Sequence, residues 1–273
     1  MEFLLGALLP YTACAVFISG TVMKIAGWLK KPVPFHITLF PAPRNTMGKV
    51  AALAGEFFFC GRIFREDKAL WLRVWLFHLS LGLVIAGHVV GIYCLRDQFT
   101  LVGVSPGTSR FMSKLLGGLS GGVMVLSLYA LLIGRIVNPE VRKLSVAEDF
   151  FNLLLLMALA VSGIMMYLPG FQADLPAVRA YMSDLIMFRS AALPDSPMFV
   201  SHFLLANILL LYFPFSRLLH AAGSIVNRAM LMEAPPASPT AEGAAPRSRF
   251  AARRVHAALH AAAQGPVDRG GQT

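Results

Sequence analysis

Five long apolar stretches constrain this chain more than any other feature. They run roughly from Phe3 to Leu29, Val74 to Leu95, Met112 to Val137, Phe150 to Leu168, and Met198 to His220. A helix needs about 20 residues to cross the roughly 30 Å hydrocarbon layer of a membrane. The chain is 56% hydrophobic and 14% charged, whereas a soluble domain carries about 25% charge. We therefore predict an all-α integral membrane bundle of five transmembrane helices.

The distribution of Lys and Arg predicts how the bundle is oriented. Most of these residues follow the first and third stretches or lie in the C-terminal tail. The opposite side holds few of them: Arg96, Arg110, Lys114, Arg179 and Arg189. The positive-inside rule then places the N-terminus outside and the C-terminus in the cytoplasm. The net charge of +10 is explained in this way, so nucleic acid is not expected as a partner.

The chain divides into a predicted membrane domain, residues 1–228, and a basic cytoplasmic tail, residues 229–273. The tail is rich in Ala, Pro, Ser and Arg, which predicts disorder, with a short basic helix near Phe250 to Ala263. Between the first two spans, the stretch from Ala51 to Phe64 is apolar but too short to cross a membrane. It predicts an amphipathic helix at the cytoplasmic interface, and Pro176 to Ala191 suggests a similar helix outside.

The cysteine pattern excludes several kinds of metal site. Cys14, Cys60 and Cys94 are scattered, and the sequence contains no CxxC or CxxCH motif. Covalent c-type haem, zinc and iron–sulfur ligation within this chain are therefore not expected. The sequence also lacks a recognisable nucleophile or acid–base constellation, so no catalytic residue is predicted.

Histidine carries the chemical signal. Of the seven histidines, His36 lies in a loop, and His256 and His260 lie in the tail. The other four lie in the second and fifth apolar stretches. Ionisable residues at membrane depth are costly and usually functional. A single one would equally suit a hydrogen bond to a neighbouring helix, but four in two helices indicate a set of ligands.

The antiparallel course of the second and fifth spans pairs these histidines as His88 with His202 and His78 with His220. Each pair could place one imidazole on each face of a haem iron. A spacing of 18 residues is five helical turns, and a spacing of 10 leaves the side chains about 80° apart. The axial separations, about 15 Å and about 27 Å, do not match. Pro214 could absorb part of the difference by bending the fifth helix.

These spacings resemble those of the cytochrome b (gamma) subunit of respiratory nitrate reductase. The amino-acid sequence of three stretches is more similar to the membrane cytochrome b of the sulfite-reduction-associated electron-transfer complex. They are Phe64-Arg65, Lys68 to His78, and Tyr212 to His220. Membrane subunits of the tetrahaem-cytochrome-linked complex and of heterodisulfide reductase share this plan. The resemblance covers roughly residues 1 to 225 and leaves the tail without a counterpart.

The resemblance implies two haem b groups, an outer one bound by His88 and His202 and an inner one bound by His78 and His220. It also implies a quinol site beside the outer haem, to which Gly87 belongs.

A lysine early in the third helix completes the family's quinol site, but Thr108 occupies that position here. Arg110 and Lys114 are candidates to replace it, and both equally suit an anchoring role at the interface. Arg217 and Arg135, at the cytoplasmic ends of their helices, could pair with the propionates of the inner haem. Ordinary snorkelling towards water explains both arginines as well.

The resemblance further implies a subunit of a respiratory oxidoreductase complex in the bacterial inner membrane. Electrons would be exchanged between menaquinol and a cytoplasmic iron–sulfur subunit like that of heterodisulfide reductase, while terminal catalysis belongs to another subunit. A periplasmic multihaem cytochrome c is a further implied partner, and the basic segment from Lys30 to Arg73 is the expected docking surface. Two other readings stay open: a transporter with a histidine proton relay, and a membrane anchor with one haem or none.

Overall fold

The computed structural model describes residues 3–30, 45–189 and 192–231, and every regular element in these ranges is helical. Apart from short 3-10 turns at Gln98–Val102 and Arg217–Leu219, the helices are α1 (Leu4–Lys30), α2 (Thr46–Phe59), α3 (Gly61–Glu66), α4 (Lys68–Cys94), α5 (Pro106–Val137), α6 (Pro139–Leu144), α7 (Ala147–Met165), α8 (Leu175–Ile186), α9 (Pro197–Phe215) and α10 (His220–Leu231). Within the described ranges, the five helices α1, α4, α5, α7 and α9 are long and apolar enough to cross a membrane. The predicted all-α bundle of five spans is thus confirmed.

Polar side chains fix where the spanning helices begin. An oxygen of Asp67 accepts a hydrogen bond from the Leu70 amide at 2.9 Å, at the start of α4. Ser105 and Ser196 cap α5 and α9 in the same way, and each is followed by a proline at the first helical position. Such caps satisfy amides that have no partner inside the helix. They set the register of each helix, and so the height of its histidines.

The five spanning helices pack in the order α4, α5, α7, α9 and α1. Phe77, Met124, Leu128 and Leu156 form a buried cluster where α4, α5 and α7 meet. Backbone packing between α4 and α9 is slight by comparison in the described ranges. Helices α4 and α9, which carry His78, His88 and His202, are therefore not in close backbone contact.

We call the end of the bundle that holds Gly6, Asp97 and Tyr181 the outer end, following the predicted orientation. Helix α8, predicted as an amphipathic helix at the outer interface, buries the side chains of Val178, Tyr181 and Leu185. The Tyr181 hydroxyl donates a hydrogen bond to the Gly6 carbonyl at 2.6 Å. Burial, with smaller contributions from neighbouring tyrosines, raises the pKa of Tyr181 to about 12. Helix α8 is thus part of the packed outer end.

We call the opposite end, with Glu56, Asp149 and Arg217, the inner end. The single amphipathic helix predicted from Ala51 to Phe64 is instead two helices, because Cys60 adopts a left-handed conformation with φ 47°. The indole N–H groups of Trp71 and Trp75, on α4, donate to the carbonyl oxygens of Phe59 and Phe58 at 2.7 Å and 2.9 Å. These bonds attach α2 to the inner end of α4. Burial and the nearby Glu56 carboxylate raise the pKa of the Cys60 thiol.

Several sequence predictions fall outside the described residues. They are His36, His256, His260 and the helix near residues 250–263. The boundary at residue 228 stays a prediction: α10 continues through it to Leu231.

Candidate functional site

The outer pair of histidines comes together as the sequence predicts. The rings of His88, on α4, and His202, on α9, have centroids 6.1 Å apart and planes inclined by 18°. His202 is half-buried and His88 is exposed in the protein alone. The two imidazoles therefore lie nearly parallel across the space between the two helices.

The inner pair has the same separation but a different orientation. The centroids of the His78 and His220 rings are also 6.1 Å apart, while their planes are inclined by 88°. Both side chains are exposed in the protein alone. The structure thus brings together both predicted pairs, one crossed and one nearly parallel.

The fifth apolar stretch, Met198 to His220, is interrupted at Pro214, where the sequence predicted a bend. Helix α9 ends at Phe215, Ser216 is extended with φ −105° and ψ 168°, and His220 begins α10. Pro214 lacks the amide needed to continue the hydrogen-bond ladder. The Ser216 hydroxyl then caps the next turn by accepting from the Leu218 amide at 3.1 Å. Five regular turns therefore do not relate His202 to His220.

Each of the four rings uses its Nδ1 atom in a hydrogen bond to a backbone carbonyl. The acceptors for His78 and His88 are Val74 and Val84, one turn earlier in the same helix, at 2.8 Å and 2.7 Å. His220 Nδ1 lies 2.9 Å from the carbonyl oxygen of Arg217.

The acceptor for His202 Nδ1 lies on another helix, since the carbonyl oxygen of Leu159, on α7, is 3.1 Å away. A carbonyl can only accept, so in all four rings the proton is on Nδ1. The Nε2 atom of each ring is then left as a neutral donor to a metal, which is the usual arrangement of a ligating histidine.

The ring separations fit an iron held between two imidazoles. Two nitrogens, each about 2.0 Å from one metal ion, are about 4 Å apart, and the ring centres are then about 6 Å apart. Both observed separations are 6.1 Å. In the described ranges, no group of three or more His, Cys, Asp or Glu side chains could hold a metal ion. Each pair instead offers two imidazole nitrogens, a donor set that would suit a haem iron.

Two glycines beside the outer pair have opposite surroundings. A methyl group at Gly87, which precedes His88, would meet no atom within 4 Å. A methyl group at Gly163, on α7, would lie 3.2 Å from Cε1 of His202. Gly163 therefore allows close approach of the His202 ring, while the predicted role of Gly87 in binding a cofactor stays a prediction.

The inner end contains an ion-pair cluster that the sequence did not reveal. Arg217 and Arg135 contact the same buried carboxylate, Asp149, at 3.2 Å and 3.5 Å. Glu148 adds a second contact to Arg217, accepting from its backbone amide at 2.6 Å. Both arginines predicted to bind propionates thus have protein partners on α7. A propionate role for Arg217 remains a prediction, with its side chain 56% exposed.

A cleft of about 300 Å³ lies beside His220, between α1 and the segment that joins α9 to α10. Lys24 and Trp28 line it from α1, and Arg217 lines it from the other side. The cleft places two cationic side chains next to the inner pair.

The two candidates for the quinol-site lysine have different partners at the outer end. Arg110 forms an ion pair with Asp97 at 3.3 Å, and Arg179 contacts the same carboxylate at 3.6 Å. Lys114 instead lies over the ring of Tyr167, 5.9 Å from its centroid. The hydrogen bond from Arg110 and the two positive charges hold the pKa of Asp97 below its ordinary value.

Sequence reasoning missed Ser162 and Gly163, which touch His202 from α7. The Ser162 hydroxyl lies 3.0 Å from His202 Nδ1 and is buried. A serine–glycine pair in an apolar helix usually indicates close helix packing. The residue that packs against this pair is His202 on α9, and no local sequence pattern identifies that contact.

The fold and the site together define a polytopic helical membrane protein. Two pairs of histidines face each other across its interior, one pair towards each end of the bundle. The chain belongs to the nitrate reductase gamma subunit family, whose sequence model matches residues 62–230. This confirms the resemblance inferred from the histidine spacing.

Three relatives extend the comparison. The Hdr-like menaquinol oxidoreductase cytochrome b-like subunit of Archaeoglobus fulgidus is 31% identical, over 80% of this chain and 76% of the relative. The protein of the same description from Archaeoglobus profundus is 27% identical, over 79% of this chain and 74% of the relative. The nitrate reductase gamma chain of Bacillus subtilis is 29% identical, over 57% of this chain and 73% of the relative.

Proposed function

We propose that this protein is the dihaem b-type cytochrome subunit of a respiratory complex in the bacterial inner membrane. It exchanges electrons between menaquinol and a cytoplasmic iron–sulfur subunit. The observation that carries the proposal is the pair of histidine couples, each with ring centroids 6.1 Å apart. His88 and His202 would hold the outer haem, and His78 and His220 the inner one.

The protein's own residues prepare both sites for iron. A carbonyl acceptor at each Nδ1 fixes the tautomer, orients the ring and makes the remaining nitrogen a better donor. With two imidazoles the iron has no open position, so haem held here would supply one-electron transfer rather than oxygen activation. The slight packing between α4 and α9 is what a flat macrocycle between the rings would require.

The quinol would be menaquinol, because two relatives are described as cytochrome b-like subunits of menaquinol oxidoreductases. The proposed binding region is the outer end, near His88 and Gly87. Asp97, with Arg110 and Arg179 around it, forms a polar cluster at this end. Oxidation of quinol at this end would release protons outside while electrons move to the inner side.

The partner on the inner side would be an iron–sulfur subunit, in keeping with the Hdr-like description of the archaeal relatives. Helix α3 presents exposed Arg62 and Arg65 at this end, within the basic segment predicted as the docking surface. Residues 31–44 of that segment lie outside the described residues. A periplasmic multihaem cytochrome c is the proposed partner on the outer side.

A reduced-minus-oxidised spectrum of the purified protein, with pyridine haemochrome quantification, tests the proposal. We expect about two protohaems per chain. His88→Ala and His202→Ala should each remove the same haem, and His78→Ala and His220→Ala the other one. His256→Ala, in the polar tail, is the control and should retain both.

A wild-type protein that binds no haem would instead favour a proton-relay transporter or a structural anchor. Loss of different haems in His88→Ala and His202→Ala would refute the pairing.

A further inference from the structure

His202 differs from the other three histidines in the origin of its hydrogen-bond partners. His78, His88 and His220 bond to carbonyl groups three or four residues earlier in the chain. His202 Nδ1 bonds to two groups of α7, the Leu159 carbonyl at 3.1 Å and the Ser162 hydroxyl at 3.0 Å. A helix that carries no proposed ligand therefore controls one of the four.

The direction of the bond between Ser162 and His202 follows from the proton count. The single hydroxyl proton of Ser162 is donated to the Leu159 carbonyl at 2.9 Å. The hydroxyl oxygen then accepts from His202 Nδ1–H, which it shares with the same carbonyl. The reverse arrangement would leave a bare Nδ1 lone pair facing the carbonyl oxygen of Leu159. Ser162 is thus a second acceptor for the proton of His202.

Gly163 determines how close the ring lies to α7. A methyl group at this position would be 3.2 Å from Cε1 and 3.6 Å from Nδ1 of His202. With no side chain there, the ring can rest against the helix while Ser162 and Leu159 hold its Nδ1 edge. The resulting plane is 18° from that of His88, whereas the inner rings are inclined by 88°.

Two consequences follow for an iron held by His202. Acceptors at Nδ1 increase the electron donation from the ring, and stronger donation stabilises the oxidised iron. Parallel rings donate π electrons into the same d orbital of the metal, while crossed rings divide that donation between two orbitals. The two sites should therefore differ in reduction potential and in electron paramagnetic resonance (EPR) signal.

Accordingly, we propose that Ser162 and Gly163 are positioning residues that set the basicity and ring plane of His202, and thereby lower the reduction potential of the outer haem. This inference rests on the proposed function. A lower potential at the outer site favours movement of electrons towards the inner site, which is the direction that quinol oxidation outside requires.

The test is a potentiometric titration, with EPR spectra, of the full-length purified protein and three serine variants. Ser162→Ala removes the second acceptor, and Ser162→Thr retains a hydroxyl. Ser127→Ala is the matched control: Ser127 is equally buried in α5 and donates to the Val123 carbonyl at 2.7 Å. The outer haem is assigned beforehand as the component lost in His88→Ala.

We expect Ser162→Ala to raise the outer midpoint potential, with an increase of about two- to tenfold in the reduction equilibrium constant, the range of one hydrogen bond. The inner component should not move, Ser162→Thr should restore the wild-type value, and Ser127→Ala should match the wild type. Gly163→Ala keeps the Ser162 hydroxyl but displaces the His202 ring. It should change the EPR signal of the outer haem and leave that of the inner haem unchanged.

An outer potential unchanged in Ser162→Ala, or an equal shift of both components, would overturn the inference while leaving the proposed function intact. If Ser162→Ala loses the outer haem, the Ser162→Cys variant, with its weaker acceptor, takes its place in the same titration. A wild-type protein without two haems would overturn the proposed function itself.

Discussion

Gly20 of α1 lies directly against the ring of Pro214 on α9. A methyl group at Gly20 would be 2.7 Å from Cβ and 2.9 Å from Cγ of that proline. Carbon atoms do not approach so closely without displacement. The absence of a side chain at Gly20 therefore lets α1 support the point at which α9 ends and the chain turns towards His220.

Gly20→Ala should destabilise the protein by about 1–3 kcal/mol, the cost of overpacking a tight contact. Because the displaced proline precedes His220, the inner haem should be lost before the outer one on heating. Gly27→Ala, on the same helix, is the matched control, since a methyl there meets no atom within 4 Å. Thermal melting followed by haem absorbance checks this, and equal melting temperatures for the two variants would contradict it.

Asp149→Asn should weaken the inner end by about 1–3 kcal/mol, because both Arg217 and Arg135 lose a buried carboxylate partner. The Arg217 carbonyl accepts from His220 Nδ1, so occupancy of the inner haem should fall more than that of the outer. Glu140→Gln removes an exposed carboxylate at the same end and should have little effect. Haem quantification and melting temperature are the measurements, and equal losses at both sites would count against this role of Asp149.

Stability should fall in acid partly through Asp97. The hydrogen bond from Arg110, assisted by the charges of Arg110 and Arg179, holds the pKa of Asp97 below its ordinary value of 3.8. A carboxyl whose pKa is lower in the folded state stabilises the fold above the ordinary value. That contribution is lost as the pH falls through the lowered pKa. Asp97→Asn should therefore reduce the difference in melting temperature between pH 6 and pH 3.

The control for this pH experiment is Asp195→Asn, an exposed carboxylate at the same end. It should keep the pH dependence of the wild type. A pH profile of Asp97→Asn that coincides with the wild type would show that the ion pairs with Arg110 and Arg179 contribute nothing to folding.

The orientation can be tested with single cysteines at the two ends. Leu101, 71% exposed, lies in a short turn at the outer end, and Glu140 is exposed at the inner end. In a background without Cys14, Cys60 and Cys94, Leu101→Cys should react with a membrane-impermeant maleimide in spheroplasts. Glu140→Cys should react only after permeabilisation. The reverse labelling would invert the predicted topology.

Much of the fold could be predicted because its signals are local in sequence. Apolar runs of sufficient length identify the five spans, and the caps at Asp67, Ser105 and Ser196 lie near the predicted starts. The pairing of His88 with His202, and of His78 with His220, followed from the antiparallel course of two helices. The structure brings both pairs together, and their role as haem ligands stays a prediction.

Other features could not be predicted, since they depend on contacts between distant segments. The sequence predicted a bend at Pro214, but it did not show that α9 ends there and that a separate helix begins at His220. Helix α8 was predicted as amphipathic, but the sequence did not show that Tyr181 is buried against the rest of the outer end. In both cases a local pattern allowed two outcomes, and packing selected one.

The sequence by itself determined the number of spans, the apolar stretches that hold the histidines and which histidines can meet, because hydrophobicity and connectivity follow from the order of residues. Only the tertiary structure decided that the outer rings lie nearly parallel and the inner rings crossed. It also decided that Ser162 and Gly163 touch His202, and that Asp149 joins two arginines. The reason is physical: ring orientation and ion pairing depend on distances of about 3 Å between side chains on different helices. The spacing of residues along a single helix does not specify such distances.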